Sequence, residues 1–196
     1  CLSYLLAQTH CDLLGITTVT GDTQKRAALA DVLCVLAGRG DIPIFAGLDP
    51  VLLEGPGQPH VPQAEVLSRY AHRSAFSTAA LDFLRTTIRN RPGEVTLLTI
   101  GPLTNVAALF AYDPEIPHLL KRLVLMAGRF RAPGQEWNVM VDPIASALVF
   151  RAAVPELLSV GLDVTLKCTM PAAEVRRRFK TPVIKAGASK AEVWFK

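Results

Sequence analysis

Residues 94–101 read Glu94-Val-Thr-Leu-Leu-Thr-Ile-Gly101 and lead into Pro102-Leu-Thr-Asn-Val-Ala-Ala-Leu-Phe110. Val95–Ile100 is a short apolar run rich in β-formers, which predicts a strand buried on both faces. Gly101 ends the run, Pro102 stands near the start of a helix, and apolar residues then recur at helical spacing. Arg122–Met126 is a second apolar run of strand length. Strand, helix and strand in this order predict a parallel crossover unit.

The ends of these two strands predict where a ligand would bind. In open parallel sheets, ligands lie outside the carboxyl ends of the strands. Those ends are Thr99–Gly101 and Met126–Gly128. We therefore expect any functional site to include these two segments.

The rest of the chain continues the alternation of helices and strands, and the fold class that this predicts is α/β, an open, mostly parallel sheet flanked by helices. We expect one domain over residues 1–196, and residues 181–196 carry no clear pattern. The remaining expected elements are a helix at Cys1–Gln8, a strand at Leu13–Val19, a helix at Lys25–Ala37, a strand at Ile42–Ala46, a helix at Ala79–Asn90, a helix from Asp142-Pro143, strands at Leu157–Val160 and Asp163–Leu166, and a helix from Pro171 to about Lys180.

Composition excludes several classes of protein. Half of the residues are hydrophobic and 19% are charged, which is typical of a globular chain. No apolar run reaches ~18 residues, so we expect no membrane partner. Four scattered cysteines fit no metal-binding spacing and favour reduced thiols in a cytoplasmic protein. The net charge is +4, and the basic run Arg176–Arg178 is interpreted as a solvated helix face rather than a nucleic-acid site.

Six segments of the chain carry a recognisable pattern when taken in order: Leu14–Asp22, Asp41–Gly47, Ile100–Asn105, Met126–Gly128, Glu136–Pro143 and Gly161–Thr165. Together they resemble the inosine–uridine preferring nucleoside hydrolase family. The resemblance implies a doubly wound, Rossmann-like fold and hydrolysis of the N-glycosidic bond of ribonucleosides. It further implies a bound calcium ion, a ribonucleoside substrate, a homo-oligomer and a place in purine or pyrimidine salvage.

The resemblance also assigns roles to five positions. It implies that the backbone carbonyl of Ile100 is a calcium ligand and that Met126 lies beside the ribose and the reacting bond. Glu136 and Asn138 match a Glu-x-Asn pair that holds the ribose hydroxyls, and we expect both side chains on one side of an extended segment. Asp22 either faces the ribose or caps a helix.

Three further residues near these positions have ordinary structural interpretations. Asp142 most simply caps the helix that begins at Pro143. Phe130 and Trp137 either stack on a base or cover a loop, and covering the loop is favoured.

The chain also departs from the family pattern at both ends. The family has an Asp-rich segment immediately before its first helix, which supplies the catalytic base and two calcium carboxylates, and a C-terminal His-Asp pair. Neither is present here, so the resemblance covers the central portion of a family domain and assigns no catalytic residue. The opening residues also lack a helix cap, so we expect an N-terminal element, with the catalytic base, upstream of Cys1. Two hypotheses remain: a hydrolase that is active in its complete form, or an inactive binding or scaffold protein.

Overall fold

The structure is a computed structural model that describes residues 1–191, in which every paired strand is parallel to its neighbour. β1 (Ile16–Thr18) pairs with β2 (Ile44–Ala46). β3 (Thr96–Thr99) pairs with β4 (Arg122–Leu125), which pairs in turn with β5 (Leu157–Ser159). The ladders form a two-stranded and a three-stranded sheet, and the predicted parallel α/β fold class is confirmed.

Helices connect the strands, and local start signals place several of them where the sequence predicts. Asp22 accepts a hydrogen bond from the Lys25 N–H at the start of the second helix, and Asp142 accepts one from the Ala145 N–H. Among residues 1–191 no helix combines the length and the hydrophobicity needed to cross a membrane. The helices are α1 (Leu2–Leu6), α2 (Thr23–Leu36), α3 (Ala80–Asn90), α4 (Thr104–Tyr112), α5 (Ile116–Leu119), α6 (Trp137–Val141), α7 (Pro143–Arg151), α8 (Leu162–Thr165), α9 (Ala172–Arg178) and α10 (Pro182–Ala191), with a 3₁₀ helix at Pro62–Arg69.

One predicted strand is wrong. The segment Asp163–Leu166 lies in and just after the short helix α8, because the Gly161 carbonyl accepts the Val164 N–H at 3.0 Å. The two residues Gly161 and Leu162 are too short a connection between parallel neighbours, which need a crossover of about a dozen residues. The sequence of residues 181–196 has no clear pattern, but in the structure Pro182–Ala191 forms α10. Residues 192–196 lie outside the described part of the chain.

The buried side chains form two separate apolar clusters. The larger cluster joins α3, α4 and α7 to one face of β4, with Leu123 and Leu125 fully buried. The smaller cluster joins α2 to β2 and includes Ala27 and Cys34. Burial raises the pKa of the Cys34 thiol to about 11, so this cysteine is an inert core residue.

An ion-pair cluster ties α3 to the end of α4. The Arg89 and Arg85 guanidinium groups each donate to the Asp113 carboxylate at 2.7 Å. These hydrogen bonds, that of Arg89 first, hold the pKa of Asp113 well below its ordinary value.

This lowered pKa predicts a pH dependence of stability. The unfolded chain has an ordinary Asp pKa of about 3.9, so the contribution of Asp113 is present above that pH and is lost as the pH falls through the lower folded pKa. We expect the free energy of unfolding, measured with urea, to fall less steeply below about pH 4 in Asp113→Asn than in the parent protein. Asp82→Asn, on the exposed face of α3, controls for the loss of one negative charge. Equal slopes in the parent and in Asp113→Asn would contradict the prediction.

Candidate active site

The buried side-chain amide of Asn105 joins the carboxyl ends of strands from the two sheets. Asn105, at the start of α4, donates from Nδ2 to the Thr18 carbonyl and accepts the Leu48 N–H at Oδ1, both at 2.9 Å. Gly47 fits beneath this amide, because a Cβ there would lie 2.2 Å from the Thr18 oxygen. The ends of β1, β2 and β3 therefore share one edge.

Glu136 lies at the end of β4 and caps α6. Its Oε1 accepts the Asn138 N–H at 2.9 Å, and its Oε2 accepts the N–H groups of Gly128 and Val139, each at 3.1 Å. The side chain is 4% exposed. The extended geometry expected for Glu136–Asn138 is wrong, because the free N–H groups at a helix start draw the carboxylate into a capping position.

Asn138 lies in the first turn of α6 and points back to β4. Its Nδ2 donates to the Met126 carbonyl at 2.8 Å and lies 3.3 Å from the Met126 sulfur. Met126 in turn donates its N–H to Thr99 of β3 at 2.8 Å. The structure thus brings Asn138, Glu136 and Met126 together at the end of β4, beside the end of β3.

Asp22 lies at the end of β1 and caps α2. The Lys25 N–H, and then the Lys25 ammonium at 2.9 Å, lower the pKa of its carboxyl group. Asp22 also lines an open cavity of about 300 Å³ together with Asp49. The cap interpretation of Asp22 describes its observed contacts, and a ribose contact stays a prediction.

The loop that follows β2 covers this side of the site. The Gln58 carbonyl accepts from the Arg26 guanidinium at 3.2 Å and lies against Gly21, where a Cβ would approach it to 2.0 Å. The Trp137 indole N–H reaches the Gln58 side chain at 3.5 Å. Trp137 therefore contacts the loop that follows β2.

Ile100 directly follows β3 and is 54% exposed. Its carbonyl is a single neutral oxygen, whereas calcium takes six to eight oxygen ligands. Within residues 1–191 no group of three or more His, Cys, Asp or Glu side chains is arranged to hold a metal ion. The donor set of the described residues therefore does not fit a calcium site on its own.

A second cleft, of about 550 Å³, is lined in part by Glu136. One wall is Phe130, whose ring packs on the bare backbone of Gly128 and Gly161. Asp163 fixes this loop by accepting the Phe130 N–H at 2.6 Å and the Arg131 N–H at 3.2 Å. The lining residues are Gly128, Arg129, Phe130, Gly134, Gln135, Glu136, Val139, Met140, Pro143 and Phe150.

The anchoring role of Asp163 was missed by sequence reasoning. The Phe130 N–H, and then the Arg131 N–H, lower the pKa of its carboxyl group. An Asp four residues after the end of β5 and two residues after Gly161 was the available signal, but the interpretation of the segment as a strand hid it.

Comparison with known proteins gives a consistent picture. A family profile described as "Inosine-uridine preferring nucleoside hydrolase" matches residues 1–194. The uncharacterized protein C1683.06c of Schizosaccharomyces pombe is 34% identical over 190 residues, which cover 90% of this chain and 61% of that protein. The pyrimidine-specific ribonucleoside hydrolase RihA of Salmonella arizonae is 31% identical, over 88% of this chain and 58% of its own length.

A solved structure described as the plant nucleoside hydrolase PpNRh1 has the same fold. It superposes with a TM-score of 0.86 at 23% identity, covering 98% of this chain and 65% of that one. The chain thus spans about three fifths of the length of the curated relatives named above.

Proposed function

Because this chain belongs to the inosine–uridine preferring nucleoside hydrolase family, we propose that the complete protein hydrolyses the N-glycosidic bond of ribonucleosides to ribose and free base. The observation that carries the proposal is the cluster of Asn138, Glu136 and Met126 at the end of β4. This is the edge of a parallel sheet at which ligands bind.

The hydrogen bonds of the cluster define what it can offer to a sugar. Asn138 uses Nδ2 on Met126, which leaves Oδ1 to accept from a hydroxyl group. Glu136 has about four lone-pair positions and uses three on backbone N–H groups, which leaves about one for a second hydroxyl. Two neighbouring acceptors, held rigidly, suit the two adjacent hydroxyls of one ribose.

Hydrogen bonds from the ribose hydroxyls to Glu136 and Asn138 would stabilise the transition state as well as the bound substrate. N-glycoside hydrolysis is expected to pass through an oxocarbenium-like sugar, by analogy with other glycoside hydrolyses. Acceptors that hold the hydroxyls while the ring flattens stabilise that state more than the ground state. The fixed backbone contacts of Glu136 and Asn138 mean that no reorganisation is needed as the reaction proceeds.

Several finer parts of the proposal rest on the resemblance alone. These are calcium as the metal ion, with the Ile100 carbonyl as one ligand, and a ribose contact for Asp22. They also include a homo-oligomeric state and a role in salvage. A cytoplasmic location rests instead on the cysteine content, and one domain over residues 1–196 rests on the chain length. A catalytic base is not assigned to any residue of this chain.

The first test is the substitution Asn138→Ala in the complete protein. Removing one neutral acceptor is expected to cost about 0.5–1.5 kcal/mol, a loss of roughly two- to twelvefold in kcat/KM. Ribose release from inosine and uridine, with calcium present, measures it.

Asn90→Ala, at the exposed end of α3, is the matched control and should retain parent kinetics. Equal kinetics for Asn138→Ala and Asn90→Ala would contradict the proposed contact between Asn138 and the ribose. No ribose release from the complete parent protein would favour the binding or scaffold alternative.

A further inference from the structure

We propose that the outward face of α7 is the contact surface for a second copy of this chain, in an antiparallel pair of helices centred on Ala147. The inference rests on the homo-oligomeric part of the proposed function and not on the reaction. It assigns that assembly to one surface of the molecule.

The outward side of α7 lacks the polar residues that a solvent-facing helix normally carries. Ala145, Ser146 and Val149 are buried, which leaves six of the nine residues of this helix facing outward. Of these six, only Arg151 is charged, and it is the last residue of α7. The outward residues are Pro143, Ile144, Ala147, Leu148, Phe150 and Arg151.

The helix α3 shows what an ordinary outer face looks like in the same molecule. Both α3 and α7 pack their inner sides on the larger apolar cluster. The exposed residues of α3 are all polar, whereas those of α7 form an apolar patch, and exposed apolar patches mark interaction sites. The exposed residues of α3 are Asp82, Thr86, Arg89 and Asn90.

The loop segment Leu52–Gly55 extends the outward face beyond the start of α7. Its first N–H donates to the Asp142 carboxylate at 3.0 Å, and a Cβ on its last residue would lie 3.4 Å from the Cδ of Pro143. Glu54 lies between these two contacts and is exposed. The negative charge of Glu54 therefore lies beside the first turn of α7, while the positive charge of Arg151 lies in its last turn.

This arrangement of charges makes the face complementary to itself. In a two-fold pair, residue i of one copy contacts residue j of the other, and j contacts i. Two antiparallel helices place the start of each against the end of the other, so Glu54 of each copy approaches Arg151 of the other copy. A parallel pair would instead bring like charges together, which is unfavourable.

Ala147 is the midpoint of α7 and lies on its outward face. Its small side chain allows two helix axes to approach to about 8 Å, the lower end of the usual range. Ile144 and Phe150 lie equally far from this midpoint along the chain, so each would lie opposite the other across the pair. Both side chains would leave water on contact, which favours association.

The surface beside α7 adds to this contact, because one short helix is smaller than the roughly 800 Å² that each partner buries in a stable complex. The helices α4 and α7 both connect parallel strands and therefore run in the same direction, with their starts joined by the hydrogen bond from Thr104 to Asp142 at 2.7 Å. Tyr112, at the end of α4, is 65% exposed, and Leu53, near the start of α7, is 74% exposed. An antiparallel pair brings the end of α4 in one copy toward Leu53 of the other.

Sedimentation equilibrium of the complete protein, without substrate, measures the association. We expect the parent protein to dimerise at micromolar concentration. Ala147→Glu places two like charges at the centre of the pair and is expected to raise the dimer Kd by at least about tenfold. Thr86→Glu makes the same kind of change on the exposed face of α3 and is the matched control, which should keep the parent Kd. Urea unfolding of both variants checks that each is folded.

A charge reversal tests the antiparallel arrangement itself. At low ionic strength, Glu54→Lys and Arg151→Glu are each expected to weaken association by about two- to fivefold, and the double variant should restore the parent Kd. Within one copy these residues lie at opposite ends of α7, about 12 Å apart along the helix axis, so a restoration reports a contact between copies. Additive weakening in the double variant would contradict the antiparallel pair.

Two results would overturn the inference as a whole. A complete parent protein that stays monomeric would show that no second copy covers α7, and an oligomer that Ala147→Glu leaves unchanged would place the contact elsewhere. The reaction is tested separately by ribose release. A dimer formed through α7 that releases no ribose would retain this inference and remove the proposed reaction, whereas a monomer that releases ribose would do the opposite.

Discussion

Asp142→Ala is expected to lower the free energy of unfolding by about 3–5 kcal/mol, because it removes the acceptor for three donors, two of them buried and one partly buried. Asp142 is fully buried and receives the N–H of Ala145 at 2.9 Å, the N–H of Leu52 at 3.0 Å and the Thr104 hydroxyl at 2.7 Å. Each donor left without a partner costs about 1–3 kcal/mol. The carboxylate also joins the loop after β2 to α4 and α7, so the expected loss of stability is larger than that of a helix cap alone.

Urea unfolding of the complete protein measures this effect. Asp142→Asn keeps one acceptor oxygen and is expected to lose less stability than the alanine variant. Asp41→Ala, an exposed carboxylate paired with Arg39, should change stability by no more than about 0.5 kcal/mol. A loss below about 1 kcal/mol in Asp142→Ala would show that these three contacts are replaced on mutation.

Glu136→Ala is expected to reduce kcat/KM for nucleoside hydrolysis by roughly 10- to 150-fold, the equivalent of about 1.5–3 kcal/mol. A hydrogen bond between the ribose and a carboxylate is charge-assisted, so its loss exceeds that of the neutral Asn138 contact. The same substitution leaves the N–H groups of Gly128, Asn138 and Val139 without their acceptor.

The two effects of Glu136 can be separated by measuring stability beside kinetics. Glu136→Gln keeps one acceptor oxygen for the cap but lacks the charge, so it should lose less stability than Glu136→Ala while still losing activity. Parent kinetics in both variants, with stability lowered only in Glu136→Ala, would show that Glu136 is a structural cap and would contradict the proposed sugar contact.

The sequence predicted those parts of the fold that depend on local signals. Apolar runs predicted β3, β4 and β5 to within two residues, because each run has the length and composition of a strand. The expectation that β3 is buried on both faces is wrong, since its residues alternate between exposed and half-buried positions. Asp142 before Pro143 correctly predicted the cap and start of α7. The gathering of Met126 and Asn138 at one edge followed from the rule for carboxyl ends of strands.

The two errors have different physical causes. The Asp163–Leu166 segment has the Val and Thr typical of strands, yet the N–H groups of Phe130 and Arg131, more than thirty residues away in sequence, bind the Asp163 carboxylate. No window of sequence contains that long-range contact.

Glu136 is instead drawn into a local capping contact. Its carboxylate accepts the N–H groups of Asn138 and Val139 in the first turn of α6, and that of Gly128 eight residues earlier.

The separation of the core into two apolar clusters has a consequence for how the molecule opens. The contacts between the half built on β1, α2 and β2 and the other half include Asn105, the Leu52–Asp142 hydrogen bond and the stacked rings of Phe45 and Phe83, whose centroids are 4.5 Å apart. Local unfolding proceeds in cooperative units, and each unit's free energy is set by the contacts that it must break. We therefore expect the half with the smaller cluster to unfold as its own cooperative unit once these contacts break. Asp22 lies in that half, whereas Met126, Glu136 and Asn138 lie in the other, so a site that uses all four residues exists only in molecules in which both halves are docked.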